Sequence, residues 1–323
     1  MHPTHDLLDG LTVLERGWLS SNNILIHAAD GEAGAVLVDS GHANHAEQTV
    51  ALVRHALKGE RLDRVVNTHL HSDHCGGNAA LQRAFGVAVV VPPGSADAAR
   101  VWDTTRLTYE ASGQRCERFE VSTAISPGDS FTAGTRCWEV LAAPGHDPDS
   151  VMLFDAAGGV LISADALWEH GFGVVFPEIA GEPGFDDVGG VLDAIARLPV
   201  NLVIPGHGAP FTDVAAALAR ARSRLAGFQA EPVRHARHAA KVLIKYHLME
   251  AQHEPLDALL RWAAATPLLG ALWTRYGAHE SATPAAWSER FVHELVRASV
   301  LVLHDGVVSD RSPAPQAVRA AAT

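Results

Sequence analysis

Cysteine is scarce in this sequence: three in 323 residues, an odd number. A chain of this length can bury a large core without disulfides, so the count excludes a disulfide framework and points to a reducing compartment. A Cys116–Cys137 pair is conceivable, and two buried thiols are the expected reading. Positive charge is also short, with 25 Lys and Arg against 37 Asp and Glu and a net charge of -12. Phosphate backbones call for a basic surface, so nucleic acid is not an expected partner. No apolar run approaches the roughly 20 residues of a membrane span. The first ten residues have neither a basic start nor an apolar segment, so a secretory signal is not expected. The cytoplasm is therefore the expected setting. There is no internal repeat and no low-complexity tract.

What the chain has in excess is histidine, 19 in all. Three imidazoles and a carboxylate fall within six consecutive residues of the stretch Thr68-His69-Leu70-His71-Ser72-Asp73-His74. Packing has no use for so many polar side chains together, and metal coordination does. Residues 64–67 just before read as the end of a buried strand and 76–85 just after as a helix, which puts the cluster on a strand-to-helix loop. Such loops hold ligands on rigid elements while leaving them open to substrate.

The same arrangement recurs along the chain. Residues 35–38 form an apolar run ending at Asp39, which reads either as a turn former or as an orienter of metal ligands. A strand pattern over 130–142 leads to His146, one over 160–163 to Asp165, and one over 202–204 to His207. Strand ends on one side of a sheet converge. Helical spacing is predicted at 43–57 and 188–198, strands at 11–16, 22–27, 87–91, 119–124 and 150–154, and an irregular insertion at 95–114. From Asp213 to about residue 297 the pattern is helical, followed by a small hairpin over 299–308 and a frayed tail at 312–323.

In order, His69, His71, Asp73 and His74, then His146, Asp165 and His207, reproduce the H-x-H-x-D-H…H…D…H pattern, and over roughly residues 11–210 the chain resembles the metallo-β-lactamase superfamily. The resemblance implies an α/β fold, an αββα sandwich over 1–212 with a C-terminal helical, winged-helix-like region over 213–311. It implies two divalent ions, zinc first and iron or manganese as alternatives: one held by His69, His71 and His146, the other by Asp73, His74 and His207, with Asp165 bridging and Asp39 behind them. It also implies cleavage of a thioester, ester or lactone by a metal-bridging hydroxide, with Asp73 and Asp165 as the catalytic carboxylates. Asp at position 165, where common β-lactamases of this family carry Cys, disfavours antibiotic hydrolysis. The glyoxalase II and lactonase branch fits best. A phosphodiesterase or nuclease, or a metal-stabilised binding protein, is the alternative.

Substrate contacts are expected from Trp168 and His170, close after Asp165, and from Tyr109 in the insertion. On the helix predicted near 232–252, a basic stripe with Arg234, Arg237, His238, Lys241 and Lys245 reads as a solvated face or as a cradle for an anionic thiol carrier, with Lys241 and Lys245 its contacts. His235 and His238 read as solvated, and His42 and His45 as rim or helix-start residues. The helical tail could also serve a homodimer.

Overall fold

Ala35–Val38 is a strand buried on both faces: Ala35 and Leu37 enter one core cluster, Val36 and Val38 another. Period two along a strand imposes that division. In the computed structural model, which describes residues 6–31 and 33–311, both main sheets repeat it. The predicted tail at 312–323 and residues 1–5 lie outside the described residues.

The first sheet has six strands in sequence order, β1 (Leu11–Leu14), β2 (Asn23–Ile26), β3 (Ala35–Val38), β4 (Leu62–Val66), β5 (Ala88–Val91) and β6 (Thr123–Ala124). Its first three are antiparallel, and β3 through β6 run parallel. The second sheet has the order β11-β10-β9-β8-β7, from β7 (Ser130–Ala133), β8 (Arg136–Ala142), β9 (Val151–Asp155), β10 (Val160–Ala164) and β11 (Leu202–Pro205). Only β10 and β11 pair in parallel there. The two sheets share one core, with Ile24, Val38, Val66 and Val90 facing Trp138, Leu153, Ile162 and Ile204.

Helices close both outer faces. Near the first sheet lie α1 (Ala46–Leu57), the single turn α2 (Ser72–Cys75) and α3 (Asn78–Phe85), and Val50, Val53 and Leu81 bury against Leu37 and Val65. The stretch read as irregular holds α4 (Pro93–Val101) and α5 (Tyr109–Ser112). Beyond β10 come α6 (Phe176–Ala180), α7 (Phe185–Arg197) and α8 (Val214–Ala230), and Leu192, Ile195, Ala221 and Leu225 cover Leu161 and Val203. The architecture is the αββα sandwich, with a helical region appended.

That region has its own core. It is built from α9 (Pro232–Ala251), β12 (His253–Pro255), α10 (Leu256–Ala265), α11 (Pro267–Leu272), α12 (Pro284–Arg297), β13 (Leu301–His304) and β14 (Val307–Asp310). The strand order β12-β14-β13 closes the hairpin with a strand that the helical reading of 213–297 had passed over. A three-residue strand carries too little apolar alternation to register in sequence. In the packing, α8 buries into the second sheet's outer core, and the appended core begins with α9.

His235 and His238 on α9 are not solvated. His235 is 3% exposed, accepts the Val175 N–H through Nε2 at 3.2 Å and lies edge-on to Phe185 and Phe228. His238 takes a hydrogen bond from the Arg224 guanidinium at 2.8 Å. Burial, then the Arg224 charge, lowers the two to about 4 and about 3, from 6.5. Below pH 6.5 the unfolded chain therefore binds protons that the fold refuses; this stability is complete above 6.5 and is lost as the pH falls toward 4. In metal-free protein, His235→Gln is expected to shrink the loss of unfolding free energy between about pH 7 and 4.5, in urea titrations, by roughly 2 kcal/mol.

Candidate metal centre

Parallel pairing of β3 with β4, and the common direction of β8, β10 and β11, bring five strand ends to one edge of the sandwich. Backbone bonds stitch that edge: Val151 N–H to Thr68 O at 2.9 Å, Ser21 N–H to Asp73 O at 2.9 Å, and Asn22 N–H to Gly206 O at 2.7 Å. Gly206 follows β11 where any Cβ would collide with the Asp165 carboxylate, so glycine is required there.

Two donor clusters form at this edge. His69 Nε2 lies 3.1 Å from His71 Nδ1, which lies 2.8 Å from His146 Nε2. Beside them, Asp73, His74, Asp165 and His207 gather, with His207 Nε2 at 3.1 Å from Asp73 Oδ2 and His74 Nε2 at 3.4 Å from Asp165 Oδ1. In each cluster all donor atoms fall within 4.8 Å of one another. Asp165 divides its oxygens, Oδ1 toward His74 and Oδ2 toward His146 at 3.4 Å.

The outer nitrogens show why the inner ones stay free for a cation. His74 Nδ1 donates to Asp39 Oδ2 at 2.7 Å, His146 Nδ1 to Val174 O at 2.6 Å, and His69 Nδ1 meets the Thr68 hydroxyl at 3.2 Å. His71 Nε2 stands 3.6 Å from Asp147 Oδ2. His74 Nε2 is left buried without a hydrogen-bond partner, aimed into the second cluster. An orphaned buried imidazole nitrogen facing carboxylates is what a resident cation would satisfy, so these donors fit two ions. Imidazole with carboxylate suits zinc, iron and manganese alike.

Electrostatics support the same reading. Burial lowers His71 and His146 to about 4 and His69 further, so the first cluster presents neutral imidazoles at neutral pH. Burial would raise Asp73, but His74 and the His207 hydrogen bond outweigh it and hold the carboxyl at about 2. Asp165 is likewise pulled well below the usual range, burial opposing and His74 and His207 prevailing. Burial works against a charged His74, and Asp165, Asp39 and Asp73 overcome it to hold the imidazole well above its ordinary value. The carboxylates thus stay ionised, and a divalent cation would take the place of the His74 proton.

Asp39 stands both at the end of a strand and against a donor histidine. At φ 57° it ends β3, and its carboxylate accepts the Thr68 N–H and hydroxyl at 2.8 and 2.7 Å besides His74. Trp168 stands at the clusters, its indole N–H 3.2 Å from Asp165 Oδ1. His170 does not: its side chain is 80% exposed beside Glu169. Tyr109 is a correction. It is buried, donating to Leu70 O at 2.8 Å and meeting Cys75 Sγ at 3.2 Å, so it props the ligand loop from behind. Lys241 and Lys245 are corrections as well: Lys241 pairs with Glu294 at 2.7 Å and Lys245 with Asp310, both inside the appended region. Cys75 is buried next to Cys116, with Cys137 exposed elsewhere; all three thiols are free. His42 is buried, its Nδ1 taking the Asn44 N–H, and the half-buried His45 meets the Ser20 hydroxyl.

Four residues at the centre had escaped the sequence reading. Asp147 directly follows a ligand, which was signal enough to find it; burial, offset by His146, raises its carboxyl to about 6. Phe176 packs over His71, ring centroids 4.7 Å apart, and Trp18 over His207 at 5.3 Å. Tyr246, from α9, bonds the Ser72 hydroxyl at 2.8 Å beside Asp73. Nothing local marks a residue that reaches the centre from 174 positions away.

The chain belongs to the metallo-beta-lactamase superfamily, whose family pattern matches residues 16–207. Among its relatives, a hydroxyacylglutathione hydrolase of Anaeromyxobacter dehalogenans (strain 2CP-C) is 33% identical over 67% of this chain and 74% of its own length. One of Methylococcus capsulatus is 26% identical over 51% of this chain and 56% of its own. These place the chain on the glyoxalase II-like side of the superfamily. A metallo-beta-lactamase family protein of Thermus thermophilus shares the fold over 94% of this chain and 100% of its own, with a TM-score of 0.55 at 20% identity. No helix among the described residues is long and apolar enough to cross a membrane.

Proposed function

We propose that this chain is a dinuclear hydrolase with zinc at both positions, cleaving thioesters and, by the same chemistry, esters or lactones. The observation that carries the reading is the Asp165 carboxylate, one oxygen to each donor cluster. When bound, a pair of cations at such a centre supplies an activated water and polarises the substrate carbonyl. The residues do the rest. Asp165 sets the spacing of the clusters, Asp73 stays ionised, and the neutral imidazoles of His69, His71 and His146 present lone pairs. A thiolate leaves without acid assistance, so thioesters make the least demand on the site.

An anionic thiol carrier is the substrate class this reading favours, with a different cradle from Lys241 and Lys245. Arg220, Arg224, Arg234 and His238 line an open groove of about 810 Å³ between α8 and α9. Arg220 and Arg224 bond the carbonyls of Glu169 and His170, which ties the groove to the turn that carries Trp168. Purified protein should hold close to two ions per chain by elemental analysis. On a panel of acyl-thioesters, lactones, a β-lactam and a phosphodiester, thioesters should turn over fastest; preference for the phosphodiester would reject the reading. Reversing Arg220 and Arg234 to Glu should raise KM for an anionic thioester about tenfold, and less for a neutral one, the gap closing with salt.

A further inference from the structure

Trp18 sits in the turn between β1 and β2 with 57% of its surface exposed, the one large aromatic side chain so exposed among the described residues. Its indole lies parallel to the His207 imidazole, 9° between planes and 5.3 Å between centroids. Trp168 stands perpendicular to both, 5.4 Å from Trp18 and 5.5 Å from His207. The Trp168 indole N–H reaches Asp165 Oδ1, the carboxylate shared by the clusters. Trp18 is held in place by its turn: Ser20 N–H bonds Gly17 O at 3.0 Å and Ser21 N–H bonds Asp73 O. A rigid indole left in water forfeits apolar burial, and a right-angled pair of indoles has faces that attract flat or extended apolar groups.

We propose that Trp18 and Trp168 form a subsite for an apolar group of the substrate, an aryl ring or a medium alkyl chain attached near the scissile carbonyl. The proposal rests on the thioesterase reading and narrows it. Phe176 over His71 and His146 marks the other side of the centre, so the carbonyl region lies between aromatic walls. A substrate with only small polar groups beside its carbonyl leaves the Trp18 indole wet. The apolar group can belong to the acyl or the thiol half, and the test separates these sources.

Metal-loaded protein is assayed on two thioester series. In one, acetyl, hexanoyl and phenylacetyl groups are carried on N-acetylcysteamine; in the other, acetyl is carried on thiols of rising apolar size. One series is expected to show kcat/KM climbing about tenfold or more with apolar size, and it identifies the half that docks. Trp18→Ala should cut that climb to about threefold or less with both ions retained, and Trp18→Phe should restore most of it. Saturable quenching of tryptophan emission by the apolar product, phenylacetate or the largest thiol, should be present in the wild type and lost in Trp18→Ala. Flat series with no quenching overturn the subsite. So does a Trp18→Ala variant that loses an ion and damages every substrate equally, since the indole would then only brace His207. If no thioester is hydrolysed the proposed function fails, and the quenching arm still decides the subsite.

Discussion

Asp165→Ala is expected to lower kcat/KM roughly a thousandfold, and to leave the protein short of at least one ion by elemental analysis. A cation at a hydrolytic centre contributes several kcal/mol of charge stabilisation, and each 1.36 kcal/mol is tenfold in rate, so losing about 4 kcal/mol gives that factor. Asp165 is the residue whose loss touches both positions, because its oxygens face His74 on one side and His146 on the other. It is also the counter-charge that keeps the neighbouring imidazoles compatible with one another. A fold intact by circular dichroism with one ion or none is the expected outcome. Full activity with a single tightly bound ion would exclude the dinuclear arrangement. His170→Ala, at a side chain 80% exposed on the outer turn, is the contrast and should change little.

The second large effect is expected at a residue that touches no ion. Asp39 is 2% exposed and accepts three short hydrogen bonds, from the Thr68 N–H, the Thr68 hydroxyl and His74 Nδ1. Asp39→Ala leaves those donors buried and unpaired, which costs about 3–5 kcal/mol of stability. Asp39→Asn tests the metal side with less disruption. One end of the amide must face a donor, so His74 loses either its partner or its orientation, and affinity for the second ion should fall about 10–100-fold. Chelator competition on the folded variant measures this. Unchanged affinity would reduce Asp39 to the turn that ends β3.

The seven residues that gather into the two donor clusters could be picked out in sequence because two local rules coincide at them. Apolar runs such as 202–204 mark core strands, and a polar ligand type directly after each run lies at a strand's C-terminal end, where parallel neighbours converge. Lys241 and Lys245 misled because a periodic basic stripe reads identically whether its partners are water, substrate or the carboxylates of Glu294 and Asp310. His235 misled in the same way, since only the arrival of Phe185 and Phe228 makes its face of α9 an interior.

By itself the sequence marked the core strands, through apolar runs that bury both faces of β3, β10 and β11, and it marked the donor residues, through residue types that packing alone does not explain; the sandwich was what their resemblance to a family implied. The tertiary structure decided what surrounds those donors. It brought Trp18 onto His207, Tyr246 to Ser72, and Arg220 and Arg224 to the turn behind Trp168. The reason is range: ligand placement follows from strand direction within a few residues, whereas the walls of the centre come from elements roughly 50 to 190 positions apart that meet only once their cores have packed.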